Sequence, residues 1–133
     1  MSNPLFDLTG RVAIVTGTSR GLGQYMARAL AKAGADLVIT SRTRESLADF
    51  QAEIEALGRK AFPVPLDVRD YDSIQNMVEE AYGHYGKIDI LVNNAGCNIR
   101  KPALDVQWED WNTILETNLR GTFFVSQAVA KKM

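Results

Sequence analysis

Arg11-Val12-Ala13-Ile14-Val15-Thr16-Gly17-Thr18-Ser19-Arg20-Gly21-Leu22-Gly23 decides the fold. Its first six residues form a nearly continuous apolar, β-branched run, which suits a strand in a sheet covered on both faces. Gly17 to Gly23 reads as a glycine-rich turn, and a helix is expected from about Gly21 to Ala33. Met26, Ala27, Leu30 and Ala33 share one stripe of that helix, and Gly34 stops it as a C-terminal cap. The three glycines have separable tasks. Gly17 allows a tight turn, Gly21 removes a Cβ where a helix N-terminus can receive a diphosphate, and Gly23 permits close contact between helix and strand. Thr18, Ser19, Arg20 and Leu22 complete a candidate dinucleotide-binding loop. The alternative, a tight turn with no ligand, is weakened by the placement after a strand and before a helix. No Lys-Ser or Lys-Thr follows Gly23, which speaks against a mononucleotide P-loop.

Working outward, β-branched runs and helical periods alternate along the rest of the chain. Leu37 to Thr40 reads as a second strand. From Thr43 to Leu57, the apolar positions Leu47, Phe50, Ile54 and Leu57 predict an amphipathic helix ended by Gly58. Ala61 to Leu66 reads as a third strand, although Pro63 and Pro65 each remove a ladder donor. Ile74, Met77, Val78, Ala81, Tyr82 and Tyr85 mark a third helix, and Lys87 to Val92 a fourth strand leading into the turn Asn93-Asn94-Ala95-Gly96. A helical pattern then runs from near Trp108 to Met133, with a bend expected at Asn118 to Gly121. Trp108 and Trp111 are expected to pack this last helix. Such alternation implies an α/β fold, a doubly wound parallel sheet, because parallel neighbours need crossover connections. Ligands of such sheets bind beyond the carboxyl ends of the strands, so the segments after Val15, Thr40, Leu66 and Val92 should line one crevice.

Composition narrows the partners. The 133 residues are 46% hydrophobic and 23% charged, and 15 Lys and Arg against 16 Asp and Glu leave a net charge of −1. One domain with a real core is expected at this size. No chain-wide basic field favours nucleic acid, and no apolar run approaches the length of a membrane span. Cys97 is the only cysteine, excluding an intrachain disulfide, and with the single His84 it leaves too few ligands for a structural zinc site. A reducing, cytoplasmic setting with no metal is expected. His84 reads as a passive surface or helix-end residue; Cys97 reads as a passive small residue, the alternative being that it borders a substrate pocket.

The loop Thr16 to Gly23 resembles the T-G-x-x-x-G-x-G pattern of the short-chain dehydrogenase/reductase family. Asn93-Asn94-Ala95-Gly96 is similar to its N-N-A-G turn, Asn118 to Phe123 to its N-x-x-G-x-F stretch, and Leu66-Asp67-Val68 to its aspartate after the third strand. The likeness covers nearly all of residues 8 to 133. It implies a Rossmann fold, here its first four β-α units, and hydride transfer between a nicotinamide cofactor and a carbonyl or alcohol substrate. Asp67 would accept a hydrogen bond from the adenine amine, with the Val68 backbone beside it; the alternative is a carboxylate capping the helix near Tyr71. Asn94, Ala95 and Gly96, in a turn begun by Asn93, would pass the ribose and nicotinamide; the alternative is a turn in which Asn93 braces the sheet. Asn118 would join the catalytic group, where an interrupted helix holds a water of a proton relay.

Cofactor choice turns on the end of the second strand. A site for NAD usually carries a carboxylate there. Here the strand ends Thr40-Ser41-Arg42, with Asp36 at its other end. Ser41 and Arg42, helped by Arg20, offer donors to a 2′-phosphate, so NADP(H) is expected over NAD(H), with Glu45 able to soften the positive site. The family also implies a Tyr and a Lys four residues later. Four residues after Tyr25, Tyr71, Tyr82 and Tyr85 stand Ala29, Gln75, Gly86 and Asp89, so no such pair exists. Residues 1–133 are therefore expected to be an NAD(P)-binding domain truncated before the catalytic Ser and Tyr-x-x-x-Lys, inactive alone. Asn98-Ile99-Arg100-Lys101-Pro102 is similar to members acting on sugar acids, such as gluconate 5-dehydrogenases, where Arg100 or Lys101 meets a carboxylate; 3-oxoacyl thioester reduction is the second substrate expectation, and the alternative of a different class is a truncated dinucleotide-binding module without catalysis. The resemblance also implies a homo-oligomer, dimer or tetramer, with Ile114, Phe123, Phe124 and Val125 shared between copies or packed in the core.

Overall fold

A computed structural model describes residues 4–133. Four parallel strands, β1 (Val12–Val15), β2 (Asp36–Ser41), β3 (Ala61–Pro65) and β4 (Ile90–Val92), form one sheet in the order β3-β2-β1-β4. Between and after them run α1 (Leu22–Lys32), α2 (Ala48–Ala56), α3 (Tyr71–Tyr85), α4 (Trp108–Leu115) and α5 (Thr122–Ala130), with a π-helical segment, Glu116–Gly121, joining the last two. This is the expected Rossmann-like α/β sheet.

The apolar strands divide their residues between two cores. Val12, Ile14, Val38 and Val64 face α3 and α5, where Ile74, Met77, Val78, Ala81, Val125 and Val129 meet them. Ala13, Val15, Leu37 and Ile39 face α1 and α2 and pack on Ala27, Ala31, Leu47, Phe50 and Ile54. Because successive side chains of a strand point to opposite faces, an unbroken apolar run is what a doubly covered sheet requires. The two prolines of β3 are tolerated for a related reason. Leu37 N–H donates to Lys60 O at 2.8 Å and Leu66 N–H to Ser41 O at 2.7 Å, so the even-numbered residues of β3 face β2. Pro63 and Pro65 fall on the outer side of this edge strand, where no ladder donor is needed.

Several expected positions move. The buried stripe of α1 is Gly23, Ala27 and Ala31, not Met26, Ala27, Leu30 and Ala33. The helix lies too near the sheet for larger side chains on that line, and Met26 and Leu30 flank it half-buried. Leu57 and Tyr82 lie outside the core. Tyr85 is half-buried and its hydroxyl donates to Leu37 O at 3.0 Å; burial raises its pKa and keeps it a donor. Trp108 and Trp111 are 79% and 60% exposed, so they do not pack the last helix. With Leu115, Leu119 and Phe123 they form one outward apolar stripe, while Val125 belongs to the core.

The fourth strand is shorter than the expected Lys87 to Val92. The Asp89 carboxylate takes the place of a backbone acceptor, receiving Val12 N–H at 2.9 Å. That hydrogen bond, with Lys87 and then Arg11 alongside, lowers the pKa of Asp89 against the opposing effect of burial. A carboxyl depressed in the folded state adds stability that is present above its unfolded pKa and lost as pH falls through the folded value. Asp89→Asn should cost about 1 kcal/mol at neutral pH. The gap between variant and parent should close as the pH falls below about 4, read by urea unfolding across a pH series.

Candidate functional site

A cavity of about 660 Å³ lies at the carboxyl ends of the strands, the scale of a small-molecule site. Its walls come from the four expected segments: Gly17, Ser19, Arg20 and Gly21 after β1, Ser41 and Arg42 at the end of β2, Asp67 and Val68 after β3, and Asn94, Ala95 and Gly96 after β4. Thr40 and Leu66, the expected strand ends, also line it, as do Cys97 and Asn98 just after the turn; Arg69, Thr113 and Thr117 join them and were not singled out from the sequence. Thr113 and Thr117, one helical turn apart and just before Asn118, carry the one signal that points to them, a polar i, i+4 pair facing the crevice.

The glycine loop is built by contact as much as by flexibility. A Cβ on Gly23 would stand 2.3 Å from Gly17 O, so only glycine lets α1 begin this close to the loop. Gly21 has φ +65°, and a Cβ there would meet no protein atom within 4 Å; its open side is ligand space. It is also the N-cap of α1, and no side chain caps the helix, which leaves first-turn N–H donors and the positive dipole end for an anion. Thr18 departs from its expected role. It is 0% exposed, and its hydroxyl donates to Thr40 O at 3.2 Å and accepts Thr40 N–H at 3.0 Å, bracing the loop to β2. Leu22 and Gly23 lie outside the cavity lining.

The turn after β4 is tied to the same loop. The Thr16 hydroxyl oxygen accepts the N–H groups of Asn94 at 3.0 Å and Ala95 at 2.9 Å. In return, Asn94 Nδ2 donates to Thr16 O at 3.1 Å and Gly17 O at 3.0 Å. Asn94 therefore braces the turn to the glycine loop, while Asn93 Nδ2 donates to Ser126 Oγ of α5 at 2.9 Å. Asn118 holds the far wall. Its Nδ2 donates to Cys97 O at 2.8 Å and its Oδ1 accepts Cys97 N–H at 2.9 Å, pinning the chain after Gly96. Thr122 N–H goes to Leu119 O while its hydroxyl donates to Asn118 O at 3.1 Å, which is the broken helical ladder of the π-segment.

Charge is distributed unevenly around the cavity. Arg20 and Arg42 are exposed and their guanidinium groups have no hydrogen bond or ion pair among the described residues. Ser41 is less free, since its hydroxyl donates to Thr43 O at 2.6 Å and meets Ser46 Oγ. Asp36 sits at the opposite end of β2 and accepts Lys60 N–H at 3.0 Å. Asp67 is the one carboxylate in the lining. It accepts Arg69 N–H at 3.0 Å and does not cap the third helix, a task Asp70 performs for Asp72 and Ser73 N–H. Lys101 pairs with Asp110 at 2.7 Å, an interaction that holds the Asp110 carboxyl below its ordinary pKa; Arg100 has no such partner. His84 stacks on Phe62, far from the strand ends that line the cavity. No group of three or more His, Cys, Asp or Glu able to hold a metal occurs among the described residues, and no helix there is long and apolar enough to cross a membrane.

The Thr16 hydroxyl joins two loops that share no other side-chain acceptor. Thr16→Val keeps the shape but strands the Asn94 and Ala95 N–H groups. It should cost about 2 kcal/mol in urea unfolding, while Thr16→Ser stays within about 1 kcal/mol of the parent.

Comparison with known proteins agrees with this geometry. The chain is 44% identical over its whole length to gluconate 5-dehydrogenase of Gluconobacter oxydans, of which it covers 52%. A crystal structure from Sinorhizobium meliloti 1021, assigned to the short-chain alcohol dehydrogenases, superposes with a TM-score of 0.93 at 48% identity, over 97% of this chain and 51% of that one. A short chain dehydrogenase from Burkholderia cenocepacia in complex with NADP superposes at TM-score 0.90 and 38% identity, over 95% and 52% of the two chains. The chain thus spans about half the length of the relatives it matches. The family model described as short chain dehydrogenase matches residues 11–133, and with the glycine loop, the Asn94 turn and the Asn118 segment in one crevice, the chain belongs to that family.

Proposed function

We propose that this chain is the dinucleotide-binding part of an NADP(H)-dependent oxidoreductase that interconverts a secondary alcohol and a ketone. The observation that carries the cofactor preference is the pair of unpartnered guanidinium groups, Arg20 and Arg42, at the mouth of a cavity whose β2 end has no carboxylate. A fork of donors suits a 2′-phosphate, and the open space over Gly21 at the uncapped start of α1 suits the diphosphate. Asp67 is free of the helix cap and offers an acceptor to the adenine amine, beside the Val68 backbone. Ala95 and Gly96 leave room for a flat ring at the β4 end. When bound, the nicotinamide supplies or accepts the hydride.

The chain's own groups orient rather than react. Asn118 fixes the Cys97 backbone through two hydrogen bonds, and its carbonyl oxygen accepts the Thr122 hydroxyl at the segment where the family's relay water would be held. The sequence has no Tyr-x-x-x-Lys, so we place acid–base chemistry outside residues 1–133 and expect binding without turnover from these residues alone. Relatives acting on gluconate, together with the unpaired Arg100, support a sugar acid as the substrate. Copies of the chain are proposed to associate along the exposed stripe from Trp108 to Phe123, with Phe123 in that contact and Val125 in the core.

Two measurements test this reading. Calorimetric titration should show NADPH binding at least about tenfold tighter than NADH, and Arg42→Asp should reverse the order by removing a donor and repelling the 2′-phosphate. Equal affinities in parent and variant would remove the basis for NADP preference. In a hydride-transfer assay with gluconate, residues 1–133 should give no turnover; turnover would place the acid–base groups within them.

A further inference from the structure

The π-segment Glu116–Gly121 touches both rims of the cavity. Asn118 grips the Cys97 side, as described above. On the other side, the same segment holds the loop that carries Asp67. Arg69 Nε and Nη2 both donate to Glu116 Oε2, at 3.2 and 3.0 Å. Arg120 Nη2 donates to Arg69 O at 3.2 Å and lies 3.8 Å from the same Glu116 oxygen. Gly121 completes the contact, since a Cβ there would stand 2.7 Å from Val68 O. Glu116 is thus the hub of a three-residue clamp that closes on the main chain of Val68 and Arg69, and Arg69 N–H in turn is the donor that orients the Asp67 carboxylate.

Loops at strand ends need such support. On its own side of the crevice the loop is held by Asp67 N–H to Ser73 Oγ at 2.9 Å, by the turn from Asp70 N–H to Asp67 O at 3.0 Å and by the packing of Val68 on the core, while the Arg69 side chain and carbonyl are held from the π-segment. A carboxylate that must meet one exocyclic amine needs its loop held to a fraction of an ångström. A single exposed ion pair is weak, whereas a charge pair, a charged donor on a carbonyl and a Cβ-free contact acting on two consecutive residues limit both position and rotation.

We infer that Arg69, Glu116 and Arg120 form a positioning clamp that sets base selectivity at the adenine end of the cofactor site, by fixing the Asp67 loop to the segment that carries Asn118. The inference rests on the dinucleotide reading above. It deepens that reading by assigning roles to residues outside the loop that meets the base.

Adenosine 2′,5′-bisphosphate and its inosine counterpart, which lacks the 6-amino group, separate a positioning role from a general structural one. The 133-residue chain should bind the adenosine compound about tenfold tighter than the inosine compound, the worth of one hydrogen bond to a carboxylate. Glu116→Gln should weaken adenosine bisphosphate roughly three- to fivefold and leave inosine bisphosphate unchanged, and Arg69→Met should lower the ratio of the two affinities by a similar factor, so that each erases most of the preference. The double variant should be no worse than either single one, and Arg69→Lys should restore part of the preference. Circular dichroism melts confirm that each variant is folded. Equal losses for both ligands would make the clamp merely structural and overturn the inference. So would selectivity lost in Arg69→Met but kept in Glu116→Gln, which would have Arg69 touching the base directly. A parent chain that binds both ligands equally overturns the clamp while leaving dinucleotide binding intact; a parent that binds neither overturns the dinucleotide reading itself.

Discussion

The distance between Gly23 and the Gly17 carbonyl governs the rest of the molecule. With 2.3 Å left for a Cβ, no side chain fits, and the same imagined atom would stand 2.5 Å from Asn94 Nδ2. Glycine there lets α1 start directly against the end of β1, and it lets Asn94 reach across to the Thr16 and Gly17 carbonyls. The end of β1, the start of α1 and the sequence-distant Asn94 turn therefore meet at one point. Their polar groups satisfy one another, and the donors left over are those at the start of α1, facing the cavity.

Sheet order makes that junction a binding site. β2 and β3 follow β1 on one side, and β4 adds to β1 on the other, so the connections leave in opposite directions on either side of β1. A crevice opens where they part, beyond the carboxyl ends of the strands. The two halves of the crevice differ chemically. The β2 side has unpaired cations, Arg20 and Arg42, whereas the β4 side is built of small residues and amide bonds. This asymmetry favours a ligand that is anionic at one end and flat and uncharged at the other.

Much of this was legible in the sequence. β-branched runs, the glycine spacing and the Asn93 to Gly96 turn predict the sheet, its order of elements and most of the cavity lining, because each reflects a local backbone need. What was not legible depended on tertiary distance. The stripe of α1 is set by how near the helix lies to the sheet, so Ala31 and Gly23 displaced Met26 and Ala33. Thr18 looks like a loop hydroxyl, but its hydrogen bonds to Thr40 across 22 positions bury it. Asn93 and Asn94 are chemically identical neighbours, and only their alternate directions decide which one braces the glycine loop. Trp108 and Trp111 obey a helical period that also fits core packing, and periodicity alone does not say which face finds a neighbour.

The Asn118 segment shows the same limit at finer scale. An Asn followed three residues later by Gly inside an apolar helix announces an interruption, and the interruption is there as a π-segment. Its consequence lies elsewhere. Glu116 and Arg120 stand one turn apart on one face of this segment, while Asn118, two residues from each, leaves on the other. One short segment can then bond Cys97 on one wall and Arg69 on the other. The segment therefore holds two loops in fixed relation, and the Gly121 contact with Val68 O, too close for any Cβ, sets how near the helix must come for that grip to close.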